Sequence, residues 1–196
     1  MNQTGSTSMT ARANMQRYTP AAIAFHWLTA ILIVGTFTLG LVMTDIPGLT
    51  PTKLKYFSWH KWAGVTVLVL SALRLLWRLR TRVPAYPATM PAWQHYAAHG
   101  THALLYLLMF GVPLSGYFYT LAAGVPVVYF GLFQLPLLIE PNLALNPVLK
   151  AVHYWLNMGM AAMVLMHVAA ALKHLVVDRD GITQRMLPLL KIKEPS

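Results

Sequence analysis

Hydrophobic and polar positions along the chain are arranged in long blocks. Four runs, near 21–43, 59–77, 99–122 and 148–175, are almost wholly apolar, and shorter polar or proline-containing stretches separate them. At a rise of 1.5 Å per residue, roughly 20 helical residues cross a hydrocarbon layer of about 30 Å, so the pattern predicts four transmembrane helices. The connection after the first run, "TDIPGLTPTKLKYFS", is short, and the one after the second, "RLRTRVPAYPATMPAWQ", is basic and punctuated by proline. Residues 123–147, "AGVPVVYFGLFQLPLLIEPNLALNP", are apolar enough to suggest a fifth span, but Pro126, Pro136, Pro141 and Pro147 break them. Irregular backbone cannot face lipid, so this segment is expected to form an interfacial cap or a short re-entrant stretch.

The basic residues orient the spans. Arg12 and Arg17 precede the first, Arg74, Arg78, Arg80 and Arg82 end or follow the second, and Lys173, Arg179, Arg185, Lys191 and Lys193 end or follow the fourth. The positive-inside rule then places both termini and the middle loop in the cytoplasm, and a fifth span would carry the basic tail to the other side. Residues 1–20 read as a flexible polar leader. The first apolar run is longer than a signal-peptide core and has no clear small-residue cleavage site, so it is expected to be retained. One domain follows, over 21–188, with a basic tail at 189–196. The fold class expected is all-α: an antiparallel bundle of four transmembrane helices.

Composition narrows the chemistry. The chain is 57% hydrophobic and 10% charged, which disfavours a soluble domain. It has no cysteine, so disulfides, thiolate metal sites, iron–sulfur ligation and thiol nucleophiles are excluded. A formal net charge of +10 is distributed at the ends of apolar runs, the membrane pattern and not the interleaved one of nucleic-acid binding. Of the five acidic residues, Asp45, Glu140, Asp178, Asp180 and Glu194, none lies inside a long apolar run, which argues against a cation transporter or proton pump.

Histidines interrupt the apolar runs instead. In "HYWLNMGMAAMVLMH" His153 and His167 stand fourteen residues apart. That spacing brings them within about 40° of one helix face and separates them by about 21 Å. The expected topology gives each a depth: His60 and His153 near the outer ends of spans two and four, His26 and His167 toward the cytoplasm. Two neutral imidazoles on opposite sides of a planar macrocycle are what a six-coordinate b-type haem requires. Such pairs would hold an outer haem on His60 and His153 and an inner haem on His26 and His167, with their irons (metal ligands His26, His60, His153 and His167) close enough for electrons to pass between them. A single histidine in a membrane helix also serves as a hydrogen-bonded packing residue; four at paired depths favour ligation.

Other groups admit two readings. His95, His99 and His102 recur on one face of span three, where an i, i+4 pair can chelate zinc or simply lie at the interface. His102 and His174 share a depth near the inner haem and suggest a polar pocket for a quinone headgroup. Arg74 and Arg78 are either snorkelling topology markers or partners for inner haem propionates. Met158, Met160, Met163 and Met166 read as packing, although methionine can be an axial ligand.

The stretches "RYTPAAIAFHWL", "SWHKWAGVTVLVLSALRLLWRL", "AAHGTHALLYLLMFGVPLSGY" and "LKAVHYWLNMGMAAMVLMHVAAALKH", closed by "RMLP", resemble the bacterial cytochrome b561 family over about residues 17–188. These are small four-helix dihaem membrane cytochromes that include the superoxide oxidase type. The resemblance implies His26, His60, His153 and His167 as haem ligands in the pairs given above. It also implies a multi-pass protein of the bacterial inner membrane, among lipid, carrying two haem b. Ubiquinone is the implied electron acceptor and periplasmic superoxide the donor, and His102 and His174 match family positions near the quinone end. The expected activity is superoxide:ubiquinone oxidoreductase. A weaker resemblance to the cytochrome b subunits of nickel–iron hydrogenases and formate dehydrogenases implies an alternative, an electron relay receiving electrons from a partner subunit. A histidine-based metal carrier would be colourless.

Lys53, Lys55 and Lys61 depart from the positive-inside pattern at the outer end. Short outer loops carry some lysine ordinarily. Beside a haem edge, however, a cationic rim would draw in a small anion such as superoxide.

Overall fold

The computed structural model describes residues 17–87 and 90–187. Most of the expected leader, with Arg12, and the tail at 189–196, with Lys191 and Lys193, lie outside the described residues. Four helices dominate: α1 (Pro20–Asp45), α2 (Pro51–Arg80), α3 (Ala92–Ala122) and α4 (Asn146–Lys173). At about 39–47 Å each they outspan the hydrocarbon layer, and all four are long and apolar enough to cross a membrane.

The helix starts have local causes. Thr19 and Thr50 are N-caps whose hydroxyls accept from Ala22 N at 3.3 Å and Lys53 N at 3.2 Å, and a proline stands next in each case. α2 therefore begins well before its apolar run. The loop from α1 to α2 shrinks to residues 46–50, and Lys53 and Lys55 lie on the first turns of a helix, not in a loop as the hydropathy pattern implies. Pro147 likewise sits in the first turn of α4, where its missing N–H costs nothing, so it starts a helix where it was expected to break one.

Residues 123–145 form no span. They fold as a cap on one end of the bundle, around a short hairpin, β1 (Val128–Tyr129) against β2 (Phe133–Gln134). Phe130 and Gly131, with φ of 48° and 75°, make its tight turn, closed by Leu132 N donating to Tyr129 O at 2.9 Å. The cap is fastened to the helices: Trp62 Nε1 donates to Val128 O at 2.7 Å, Thr66 and Tyr129 share a hydroxyl bond at 2.9 Å, and Tyr117 donates to Pro136 O. This is the loop end.

At the opposite, terminal end α4 continues into a π-helical turn (His174–Asp178), and a 3₁₀ turn (Thr183–Arg185) folds back on the bundle. Trp77 Nε1 donates to Thr19 Oγ1 at 3.0 Å, Trp27 Nε1 to Met186 O at 2.9 Å, and Arg185 to Ala85 O at 2.6 Å.

Consecutive helices run antiparallel, and the most extensive contacts pair α1 with α2 and α3 with α4. The bundle is thus two helical hairpins, joined by a smaller α2–α3 contact. Its burial is inverted relative to a soluble protein. Leu108, Met109 and Met160 form a small core, with Ile33, Leu156 and Met163 packed against it, while Leu79 and Leu165 are 74% and 71% exposed. Thr29 and Ser71, both buried, return their hydroxyls to the carbonyls of Phe25 and Val67, each at 2.7 Å. Small and internally satisfied polar residues face the helix contacts and large apolar ones face outward, as in a lipid environment. Met160 and Met163 are packing residues here, and Met166 is half-exposed.

Candidate functional site

The structure brings the histidines of the apolar runs together at two levels. Near the loop end His60 of α2 faces His153 of α4, with ring centres 6.3 Å apart and planes at 89°. Near the terminal end His26 of α1 faces His167 of α4, with centres 6.2 Å apart and planes at 64°. Two imidazoles bound to one metal from opposite sides need a similar separation. Each metal–nitrogen bond is about 2 Å and each ring centre lies about 1 Å beyond its nitrogen, giving roughly 6 Å in all.

At the loop end both rings are oriented by backbone. His60 Nδ1 lies 3.0 Å from Thr36 O, and His153 Nδ1 lies 3.1 Å from Val112 O and 3.0 Å from Ser115 Oγ. A carbonyl only accepts, so each Nδ1 carries the proton and each Nε2 keeps its lone pair free for a metal. The donor set therefore fits a bis-imidazole cofactor. Sequence reasoning missed Thr36, Val112 and Ser115, because a carbonyl acceptor leaves no mark on residue type.

The terminal end is built differently. Arg74 Nη2 lies 3.0 Å from His26 Nδ1, and a guanidinium only donates, so this Nδ1 accepts and Nε2 carries the proton; His26 would free Nε2 for a metal only with Arg74 turned away from the ring. His102 places a third ring 5.6 Å from His167, and its buried Nδ1 has no hydrogen-bond partner among the described residues. Arg74 and Arg78 both lie over the Tyr106 ring, at 5.5 and 6.0 Å. With Tyr18, Trp77 and Arg82 they line a basic cleft suited to an anionic group.

His95, His99 and His102 do not converge. His95 and His99 lie against Tyr86, at 4.7 and 5.6 Å, whereas His102 turns toward His167, so the three do not share one site. Burial pushes the Tyr86 phenol up from its ordinary value. His174 has neighbours separate from those of His102. Its Nδ1 lies 2.6 Å from Asp180 and 3.2 Å from Asp178. The π-helical turn and the left-handed Arg179 (φ 51°) fold these carboxylates back onto the ring. His174, Asp178 and Asp180 could ligate a cation by spacing. Lys173, 2.6 Å from Asp178, already places an ammonium there, so the cluster is an ion-pair network.

The lysines of the loop end are partly engaged. Lys53 donates to Ile46 O at 2.6 Å, and Lys55 lies 4.6 Å over the Trp59 ring. Lys61 is half-buried, and Lys150, which sequence reasoning passed over, is an exposed fourth cation on α4.

Comparisons with known proteins agree in kind. A family model described as prokaryotic cytochrome b561 matches residues 17–189. Cytochrome b561 homolog 2 of Escherichia coli (strain K12) is 34% identical over 172 residues, covering 88% of this chain and 92% of the relative. Cytochrome b561 homolog 1 of the same organism is 29% identical over 178 residues, 90% of this chain and 100% of the relative. A Yersinia pestis protein named "Probable superoxide oxidase CybB" is 28% identical over 177 residues, 88% of this chain and 97% of the relative.

Proposed function

The chain belongs to the prokaryotic cytochrome b561 family, and on that premise we propose that it oxidises superoxide at its loop end and reduces ubiquinone at its terminal end. Family membership carries the coarser statement, a membrane electron-transfer protein with b-type haem. The finer reading rests chiefly on one observation: two imidazole pairs, 6.3 and 6.2 Å between ring centres, stacked at two levels of one bundle. His60 with His153 and His26 with His167 would each hold one haem b, which supplies one-electron transfer when bound.

The remaining roles follow from the chain's own groups. Thr36 and Val112 hold the loop-end tautomers, and Arg74 and Arg78 offer donors to propionates. Arg17, Arg78, Arg80, Arg82, Lys173, Arg179 and Arg185 gather at the terminal end, which supports a cytoplasmic location for it, with both termini, in a bacterial inner membrane. Lys53, Lys55, Lys61 and Lys150 outnumber Asp45 and Glu140 at the loop end and attract the superoxide anion there. Superoxide gives up one electron and becomes oxygen without a proton, so no general acid is needed at that end. Ubiquinone takes up two electrons and two protons to become ubiquinol, so one is needed at the other. His174, with Nδ1 held by Asp180 and Asp178, is the donor assigned, and His102 contributes a second polar contact.

The test supplies superoxide to purified holoprotein in detergent, then a short-chain ubiquinone. The reading expects rapid haem reduction followed by quinone-dependent reoxidation. Absence of superoxide-driven reduction, with co-purification of an iron–sulfur subunit, would replace it by the relay-subunit reading.

A further inference from the structure

The two helical hairpins carry one pattern. α1 reads H-x8-G-x4-G-x3-T over His26, Gly35, Gly40 and Thr44, and α3 repeats it over His102, Gly111, Gly116 and Thr120. The helix that follows reads H-x13-R in the first hairpin, His60 to Arg74, and H-x13-H in the second, His153 to His167. Contacts give the pattern its physical content. A Cβ added at Gly116 would stand 2.8 Å from Cε1 and 3.1 Å from Nδ1 of His153, and one at Gly40 would stand 3.2 Å from Cε1 of His60. The other glycine of each pair lacks this closeness: Gly35 has nothing within 4 Å, and Gly111 meets only Leu156 Cδ1, at 3.8 Å. One turn before each close glycine stands the carbonyl that takes the ring's Nδ1 proton, Thr36 O at 3.0 Å and Val112 O at 3.1 Å. Even the hydroxyl one turn after is matched: Thr44 and Thr120 return theirs to Gly40 O and Gly116 O, at 3.1 and 2.8 Å.

We propose that Thr36 with Gly40, and Val112 with Gly116, are matched sockets in which the imidazoles of His60 and His153 are seated so that their planes stay perpendicular. This rests on the reading of those histidines as loop-end haem ligands. An imidazole bound through Nε2 can turn about its metal–nitrogen bond unless something holds the far side of the ring. Each socket supplies two holds: a carbonyl acceptor for Nδ1, and a bare helix surface against which Cε1 rests. Because the sockets lie on different helices, the ring orientations are set independently, and the observed angle is 89°. A haem iron held between perpendicular rings would give a strongly anisotropic low-spin ferric signal, whereas parallel rings would give a rhombic one. Gly40 and Gly116 are thus positioning residues, acting through the ligands.

The experiment compares Gly116→Ala and Gly40→Ala with Gly35→Ala and Gly111→Ala, all as purified holoprotein, by low-temperature electron paramagnetic resonance, redox titration and haem quantification. A methyl at position 116 forces the His153 ring to turn or retreat. The expected result is reduced anisotropy and a shifted potential for one haem only, with about tenfold weaker haem retention. Gly40→Ala should do the same to a smaller degree, and it carries the test if Gly116→Ala does not fold. The Gly35→Ala and Gly111→Ala variants should match the parent protein. Unchanged signal, potential and haem content in Gly116→Ala and Gly40→Ala would overturn the sockets, provided His60→Ala and His153→Ala each lose a haem. If those two histidine variants keep both haems, the ligand reading itself falls and the sockets with it.

Discussion

The loop-end and terminal-end levels of the bundle use the same residue type at nearly the same spacing, yet they are finished differently. At the loop end each imidazole donates to a backbone carbonyl, and the two seats repeat from hairpin to hairpin. At the terminal end the repeat is broken: Arg74 stands on α2 where α4 has His167, Arg74 reaches His26, and His102 adds a ring with no hydrogen bond at its buried Nδ1 among the described residues. Backbone acceptors cannot be moved or titrated, so the loop-end level is rigid. The terminal level is surrounded by side-chain cations and spare imidazoles, groups that can carry charge and protons. Under the proposed function, electron entry from a proton-free donor would need only the first design, and quinone reduction would need the second.

The comparison is broken most severely by removing ligands. His60→Ala or His153→Ala should lower the haem content from two per chain to one, because the loop end holds no substitute ring, and haem quantification reads this directly. His26→Ala should lose less. His102 lies 5.6 Å from His167 and can take the empty place in part, so only the double variant His26→Ala with His102→Ala should lose the terminal-end haem completely. Equal losses for His26→Ala and His60→Ala would erase the proposed difference between the levels.

Next in size is the proton donor. Asp180→Asn removes the negative charge 2.6 Å from His174 Nδ1 and should slow quinone-driven reoxidation by roughly tenfold to a hundredfold, with both haems and superoxide-driven reduction intact. Slowing of both half-reactions alike would mean that Asp180 supports the fold rather than the terminal site. At the loop end the effect is smaller. Lys150→Glu should slow superoxide-driven reduction by about threefold at low ionic strength and by less in high salt, with an unchanged haem spectrum, in stopped-flow measurements. Similar in size is Arg74→Gln. Loss of one cation beside His26 should lower the terminal-end potential by an amount on the order of 1 kcal/mol and leave the other haem unmoved in a redox titration.

Much of this was legible in the chain. The four apolar runs announce four spans, because hydrophobic length is a direct requirement of the membrane, and the histidines stand out against an apolar background. Helix starts were legible too, in Thr19–Pro20 and Thr50–Pro51, but hydropathy alone hides them: α2 begins with a lysine-bearing turn. What could not be read is anything that depends on the main chain. Val112 accepts a ring proton through its carbonyl, which its side chain does not advertise. Gly40 and Gly35 look equivalent in sequence, and only their distances to His60 distinguish them. Asp178 and Asp180 reach His174 because a π-helical turn and a left-handed Arg179 reverse the chain. No residue pattern in "HLVVDRDG" requires that reversal.

Two bis-imidazole levels underlie every role assigned to this bundle, and haem quantification combined with a redox titration of the purified parent protein tests for them. Two b haems per chain, both low-spin and titrating as two separate components, are the predicted result. A single haem per chain, or a high-spin ferric component at either level, would contradict it.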